Sequence, residues 1–214
     1  DVVRNLSGMW RLLFPHQWVK YLDLPQNFDP AVGGAFYQRE MRHLATLILG
    51  KEPDAVYEQR LREAIALTNR QQAAFDQLRK RRQEEPHLIP IKEFYHLYRS
   101  ALVLHPDEHI RLLEGYLAQI GSRPARPLDN IRVMVKGAFC EQPPLGLLRT
   151  IERAGCYIVN HDFLTGLHWF TAPLKTTGDP FAALADGFIN RTRTAPFKYQ
   201  GDGDRGQALV DEAR

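Results

Sequence analysis

The sequence predicts an α/β protein, with a long helical stretch leading into a parallel-sheet unit that is incomplete. Three observations predict it. Residues 53–85 carry apolar side chains at a 3.6-residue period, the signature of one long amphipathic helix. Ser122-Arg123-Pro124-Ala125-Arg126-Pro127 then breaks the helical pattern. Beyond it, two short apolar runs, 131–139 and 156–159, flank a helix-forming segment, which is the pattern of a βαβ unit.

Composition fits this class and excludes others. Of 214 residues, 44% are hydrophobic and 25% charged, as in ordinary globular proteins. The longest apolar runs, such as 44–49, are far too short to span a bilayer, and no basic-then-apolar signal opens the chain. The net charge of +3 is small and dispersed, so it does not argue for nucleic acid. Two cysteines, Cys140 and Cys156, make no disulfide framework and point to a reducing, cytoplasmic setting. The chain does not begin with Met, and its last residues, 207–214, sit inside a helical pattern, so both ends are expected to be internal to a longer protein.

The elements follow in order. Residues 1–14 form a short helix with Val3, Leu6, Trp10 and Leu13 on one face. Residues 18–22 read as a short strand ended by Asp23-Leu24-Pro25-Gln26-Asn27. Asp29-Pro30 starts a helix, with Asp as N-cap and Pro where a missing N–H costs nothing, and Gly50 stops it. Pro53-Asp54 opens the long helix. Its run Arg79-Lys80-Arg81-Arg82 reads as a solvated helix end, where cations complement the dipole, rather than as a nucleic-acid patch. Helices are expected over 91–104 and 106–120, the second closed by Gly121.

After the linker, 131–139 is a buried strand. Pro143-Pro144 starts a helix with Leu147, Leu148 and Ile151 inward, Gly155 ends it, and 156–159 is the second strand. A right-handed crossover makes this part of a Rossmann/flavodoxin-like parallel sheet. Asp179-Pro180 begins a further helix with Phe181, Leu184, Phe188 and Ile189 inward. The expected organisation is the end of an upstream α/β domain over 1–28, a helical region over 29–123, and part of a C-terminal α/β domain over 124–214.

Ligands of open parallel sheets gather at the carboxyl ends of the strands. Here those ends are Cys140-Glu141-Gln142 and Asn160-His161-Asp162, on one edge if the strands are neighbours. A thiol, two carboxylates and an imidazole can support acid–base chemistry there. The plainer alternative is that Asp162 caps a loop and Cys140 is simply buried. His105-Pro106-Asp107-Glu108-His109 matches an inverted zinc-protease helix, but Pro106 puts His105 at the helix boundary, so a ligand pair is not expected. Neither a GxGxxG fingerprint, a phosphate-binding loop nor a GxSxG elbow occurs.

Distributed motifs carry a family resemblance. Asp1-Val2-Val3-Arg4-Asn5-Leu6-Ser7-Gly8-Met9-Trp10, with Tyr21-Leu22-Asp23-Leu24-Pro25-Gln26-Asn27, resembles the 2-hydroxyacyl-CoA dehydratase D-component family. Tyr37 with Glu40, Ile65-Ala66-Leu67-Thr68-Asn69-Arg70 and the stretch 91–108 support it. Gly137-Ala138-Phe139-Cys140-Glu141-Gln142-Pro143-Pro144 and Gly155-Cys156-Tyr157-Ile158-Val159-Asn160-His161-Asp162-Phe163 look closest to the benzoyl-CoA reductase branch.

The resemblance implies a core of two related subunits holding a [4Fe–4S] cluster and an acyl-CoA between them. A separate ATP-hydrolysing, iron–sulfur activator would supply electrons from a ferredoxin-type donor. The reductase branch reduces an aromatic acyl-CoA to a cyclic diene; the alternative branch, 2-hydroxyacyl-CoA dehydratase, eliminates water through a radical. A non-catalytic paralogue that contributes only contacts is the third possibility. The family's cluster cysteines fall outside this chain, so Cys140 and Cys156 are not named as ligands. Glu141, His161 and Asp162 are the expected polar groups near substrate or cluster, and Asp1 and Arg4 are expected beside the preceding cluster cysteine. Asn160-His161-Asp162 departs from the acidic run that many members carry.

Overall fold

Aspartates and glycines punctuate the helices where their chemistry predicts. In the computed structural model, which describes residues 2–135, 143–161, 172–194, 206–207 and 210–211, helix α1 spans Val2–Leu13. The strand expected over 18–22 does not form; the segment runs on without ladder pairing. A β-prone segment becomes a strand only when a neighbour takes its backbone groups. Side chains hold this one instead, through Lys20 to Glu40 at 3.3 Å and Asp23 to Arg4 at 2.7 Å.

Asp29 opens the next element, its carboxylate accepting from the N–H groups of Ala31 and Val32 at 2.7 and 3.3 Å. The first turn, Pro30–Gly34, is wound wider than an α-helix and continues into α2, Ala35–Leu49. Gly33 stands so close to the carbonyl of Asn27 that a Cβ there would collide with it. Gly50, at φ 69°, ends α2 in the left-handed region. Asp54 caps α3, Ala55–Glu84, by accepting from the Tyr57 N–H at 3.0 Å. Helix α4, Ile91–Ser100, stops short of the expected 104, and α5 spans Pro106–Ile120.

Strands β1, Ile131–Val135, and β2, Cys156–His161, pair in parallel across helix α6, Leu145–Arg153. Ile131 stands opposite Cys156 and Val135 opposite His161, with a register shift at Val133/Met134. This is the expected βαβ unit, and it makes the chain a mostly helical α/β protein. Residues 136–139 of the first expected strand lie outside the described residues. Leu148 is fully buried on α6 but Leu147 is half exposed, because a helix with core on one side turns only one of two consecutive positions inward. Helix α7, Pro180–Thr194, buries Phe181, Phe188 and Ile189 as expected, with Leu184 partly covered.

One apolar cluster joins α3, α4, α5, α6 and β2 through Leu78, Ile91, Leu113, Leu148 and Ile158, all without solvent contact. Each such side chain contributes about 1.5–3 kcal/mol. Helix α7 packs on α2, where Tyr37 stacks on Phe188 at 4.5 Å. Arg42 ties three elements: it reaches Glu58 of α3 at 3.1 Å and Asp179, just before α7, at 3.2 Å, with its guanidinium 4.4 Å from the Phe181 ring. Asn69 of α3 holds the segment before α7 by both ends of one amide. Its Nδ2 donates to the Leu174 carbonyl at 2.8 Å, and its Oδ1 accepts from the Leu174 N–H at 2.9 Å.

The basic run 79–82 is not a uniformly solvated helix end. Arg82 is 1% exposed, because the helical period turns it into the core. It donates to the Ile89 carbonyl and, at 3.2 Å, to Glu152 of α6. No helix among the described residues is long and apolar enough to cross a membrane.

Candidate functional site

Strand β2 ends at His161, so the imidazole stands at the carboxyl edge of the sheet. It meets two rings of α4 nearly at right angles: Phe94 at 5.3 Å and Tyr98 at 5.8 Å between centroids. Phe94 and Tyr98 are four residues apart and therefore share a helix face. Phe75 of α3 closes the group at 5.6 and 4.9 Å from those two rings. These walls bound a pocket of about 70 Å³, with Gln71, Gln72, Asp76, Arg79 and Asn160 among its polar lining. It lies where parallel sheets gather ligands, between a strand end and the helices that cover it.

The electrostatics differ from rim to interior. Asp76 sits at the rim with 45% of its side chain exposed and Arg79 at 3.1 Å. Burial pushes its carboxyl above the usual range, against the pull of Arg79. Inside, burial lowers the Arg82 guanidinium while the Glu152 carboxylate draws it back up. Arg82 also lies 5.2 Å from the Phe94 ring, so the same side chain braces the aromatic wall.

His109 of α5 lines the pocket but is fully engaged. Its Nδ1 accepts from the Gln71 amide at 3.0 Å and its Nε2 donates to the Leu97 carbonyl at 2.9 Å. An amide nitrogen only donates and a carbonyl only accepts, so the ring is neutral with its proton on Nε2. Burial lowers its pKa, partly opposed by the Leu97 bond. His105, at the N-cap of α5, is exposed, so the 105–109 pattern does not form a two-histidine face.

Of the five residues expected at the site, His161 and Arg4 are described; Asp1, Glu141 and Asp162 lie outside the described residues, as does Cys140. Arg4 is held by neighbours other than His161. It leaves α1 to pair with Asp23 and stands 5.4 Å from the Tyr21 ring. The sequence alone marks neither the aromatic wall nor Asp76 as belonging to this pocket. The spacing of Phe94 and Tyr98 marks a shared apolar face, but nothing local says that a strand end will dock on it.

A [4Fe–4S] cluster is held by cysteine thiolates. Cys156 is the free cysteine among the described residues, and no group of three or more His, Cys, Asp or Glu is placed there to hold a metal ion. The described residues therefore do not make a cluster site.

Comparison with known proteins decides the family. The family model "2-hydroxyglutaryl-CoA dehydratase, D-component" matches residues 1–214. The chain belongs to the 2-hydroxyglutaryl-CoA dehydratase D-component family. It is also 36% identical over 215 aligned residues to a benzoyl-CoA reductase subunit of Thauera aromatica, an alignment that takes in 100% of this chain and 56% of the relative. The chain thus spans about half the length of that curated relative. Membership of the D-component family bears out the resemblance read from the distributed motifs.

Proposed function

We propose that this chain is part of a subunit of an ATP-dependent, iron–sulfur benzoyl-CoA reductase, which adds two electrons and two protons to an aromatic acyl-CoA to give a cyclic diene. The observation that carries the reading is the 36% identity to the Thauera aromatica benzoyl-CoA reductase subunit, sustained over every residue of the chain. His161 at the β2 edge supports it, since a ring reduction needs a positioned proton donor and an imidazole is the commonest one. Glu141 and Asp162 are the further polar groups assigned to substrate or cluster. Asp1 and Arg4 belong beside the cluster's ligand. The cluster supplies low-potential electrons when bound, and its cysteines lie outside this chain. A related second subunit, an ATP-hydrolysing iron–sulfur activator and a ferredoxin-type donor complete the cytoplasmic system. The helical region 29–123 stands between the end of one α/β domain and part of another.

The test is anaerobic expression of the full-length protein with its partner subunit and activator. Benzoyl-CoA is expected to yield the cyclic diene, and His161→Ala to slow ring reduction by on the order of 10²-fold while activator ATP hydrolysis falls less. Unchanged turnover removes His161 from the site. The description of the matching family favours a second reading, a 2-hydroxyacyl-CoA dehydratase subunit. Formation of an enoyl-CoA from a 2-hydroxyacyl-CoA, with benzoyl-CoA left intact, would select it.

A further inference from the structure

The pocket beside His161 is the wrong size for the aromatic ring and the right size for water. An apolar cavity that admits benzene measures about 150 Å³, whereas each water needs only about 10–15 Å³. At about 70 Å³ the pocket has room for several waters and not for the ring. A buried water also needs two to four polar partners. Gln72, Asp76, Asn160 and His161 all line the pocket, set among the rings of Phe75, Phe94 and Tyr98.

We propose that this pocket is a hydrated proton-uptake chamber in which Asp76 passes protons from solvent, through ordered water, to His161. The inference rests on the reading of His161 as the proton donor. Asp76 is placed for it, half in solvent at the rim while also lining the chamber. Its carboxyl, raised by burial, holds a proton more readily than a free aspartate. Among the described residues, the other charged and titratable groups facing the chamber are Arg79 and Arg82 on α3, Tyr98 on α4 and His109 on α5. Arg82 is balanced by Glu152, and Arg79, half in solvent, loses its Asp76 partner only while that carboxyl holds the proton. His109 has both ring nitrogens bonded and takes no part.

The step moves protons only. The Asp76 O–H bond breaks, a chain of waters hands the proton on, and an N–H bond forms on the His161 imidazole. The Asp76 carboxylate then takes a proton from solvent, and His161 gives its proton to the reduced ring. Asp76 acts through His161 and touches no substrate.

The experiment uses the full-length protein with its partner subunit and activator. Asp76→Asn is expected to lower ring reduction about tenfold, with the loss growing as pH rises and largely restored by added imidazole buffer. Asp76→Glu should keep the wild-type profile, and the iron–sulfur spectrum and ATP hydrolysis should not change in either variant. A wild-type rate and pH profile in Asp76→Asn overturns the proposal, as does a loss that buffer does not restore. If His161→Ala slows turnover and Asp76→Asn does not, the relay falls while the donor stands. If neither does, the assignment of the site itself fails. Should Asp76→Asn not assemble, Gln72→Met takes away one polar partner of the chamber's water and must show the same buffer-rescued loss. An experimental structure of the complex should show waters linking Asp76 to His161; a dry pocket overturns the chamber.

Discussion

Glu152 caps helix α4 across 61 positions of sequence: both of its carboxylate oxygens lie 3.0 Å from the Ile91 nitrogen, whose N–H points between them. Helix α4 has no side-chain cap of its own, since Pro90 precedes it. A carboxylate at a helix N-terminus satisfies an orphan donor and complements the dipole. The same carboxylate neutralises Arg82, so one group from the βαβ unit fixes both the helix that bears Phe94 and Tyr98 and the cation that braces Phe94.

Removing that carboxylate leaves a buried cation without a partner. Glu152→Ala is expected to destabilise the protein by about 3–5 kcal/mol, and toward the lower figure because Glu152 is partly exposed. Glu152→Gln keeps an acceptor for Ile91 and should lose less. Arg82→Met combined with Glu152→Leu, which removes both charges, should also lose less than Glu152→Ala alone. Urea unfolding at constant pH measures all three, and a Glu152→Ala variant as stable as wild type would refute the pairing.

The neutral state of His109 makes stability depend on pH. Its folded pKa lies below the ordinary value of 6.5, chiefly through burial. A group depressed in the folded state binds more protons when unfolded, so its contribution is present above pH 6.5 and is lost as pH falls through the folded value. Protonation would also set a new N–H on Nδ1 against the donating Gln71 amide. Melting temperature should therefore decline from about pH 7 toward about pH 5, and His109→Gln should flatten that slope even if it lowers the plateau. An unchanged slope in the variant would assign the dependence elsewhere.

Gly33 tolerates no side chain. A Cβ there runs into the Asn27 carbonyl, which is backbone and cannot rotate aside. Gly33→Ala is expected to cost about 3 kcal/mol or more, the upper end for overpacking. Gly50→Asn, at a left-handed helix end with open space around it, should cost little. Thermal unfolding of the two variants compares a forbidden contact with a conformational preference.

Much of the fold was legible because its punctuation is local. Asp29, Asp54 and Gly50 act through backbone groups within a few residues, and the sequence displays all of them. The βαβ unit was legible for the same reason, since its strands and helix follow one another. What escaped reading depends on distant neighbours. The segment 18–22 has strand-forming residues but, among the described residues, no strand beside it. Arg82 looks like its three basic neighbours until Glu152 and Ile89 arrive from elsewhere in the chain. His161 could be placed at a strand end from the sequence, but the Phe75, Phe94 and Tyr98 box is set by how α3 and α4 dock, which no local pattern records.

Asn69 has a consequence for how related chains diverge. It grips Leu174 by the main chain alone, donating to the carbonyl and accepting from the N–H. Proline apart, which has no N–H to give, the grip is therefore indifferent to the side chain at position 174, and the return segment can drift in sequence while keeping its path. Position 69 has no such freedom, since aspartate would set an oxygen against the Leu174 carbonyl and leucine would satisfy neither group. Among relatives, the conserved landmark for this crossing should be the helical asparagine, and the loop it holds should look unrelated.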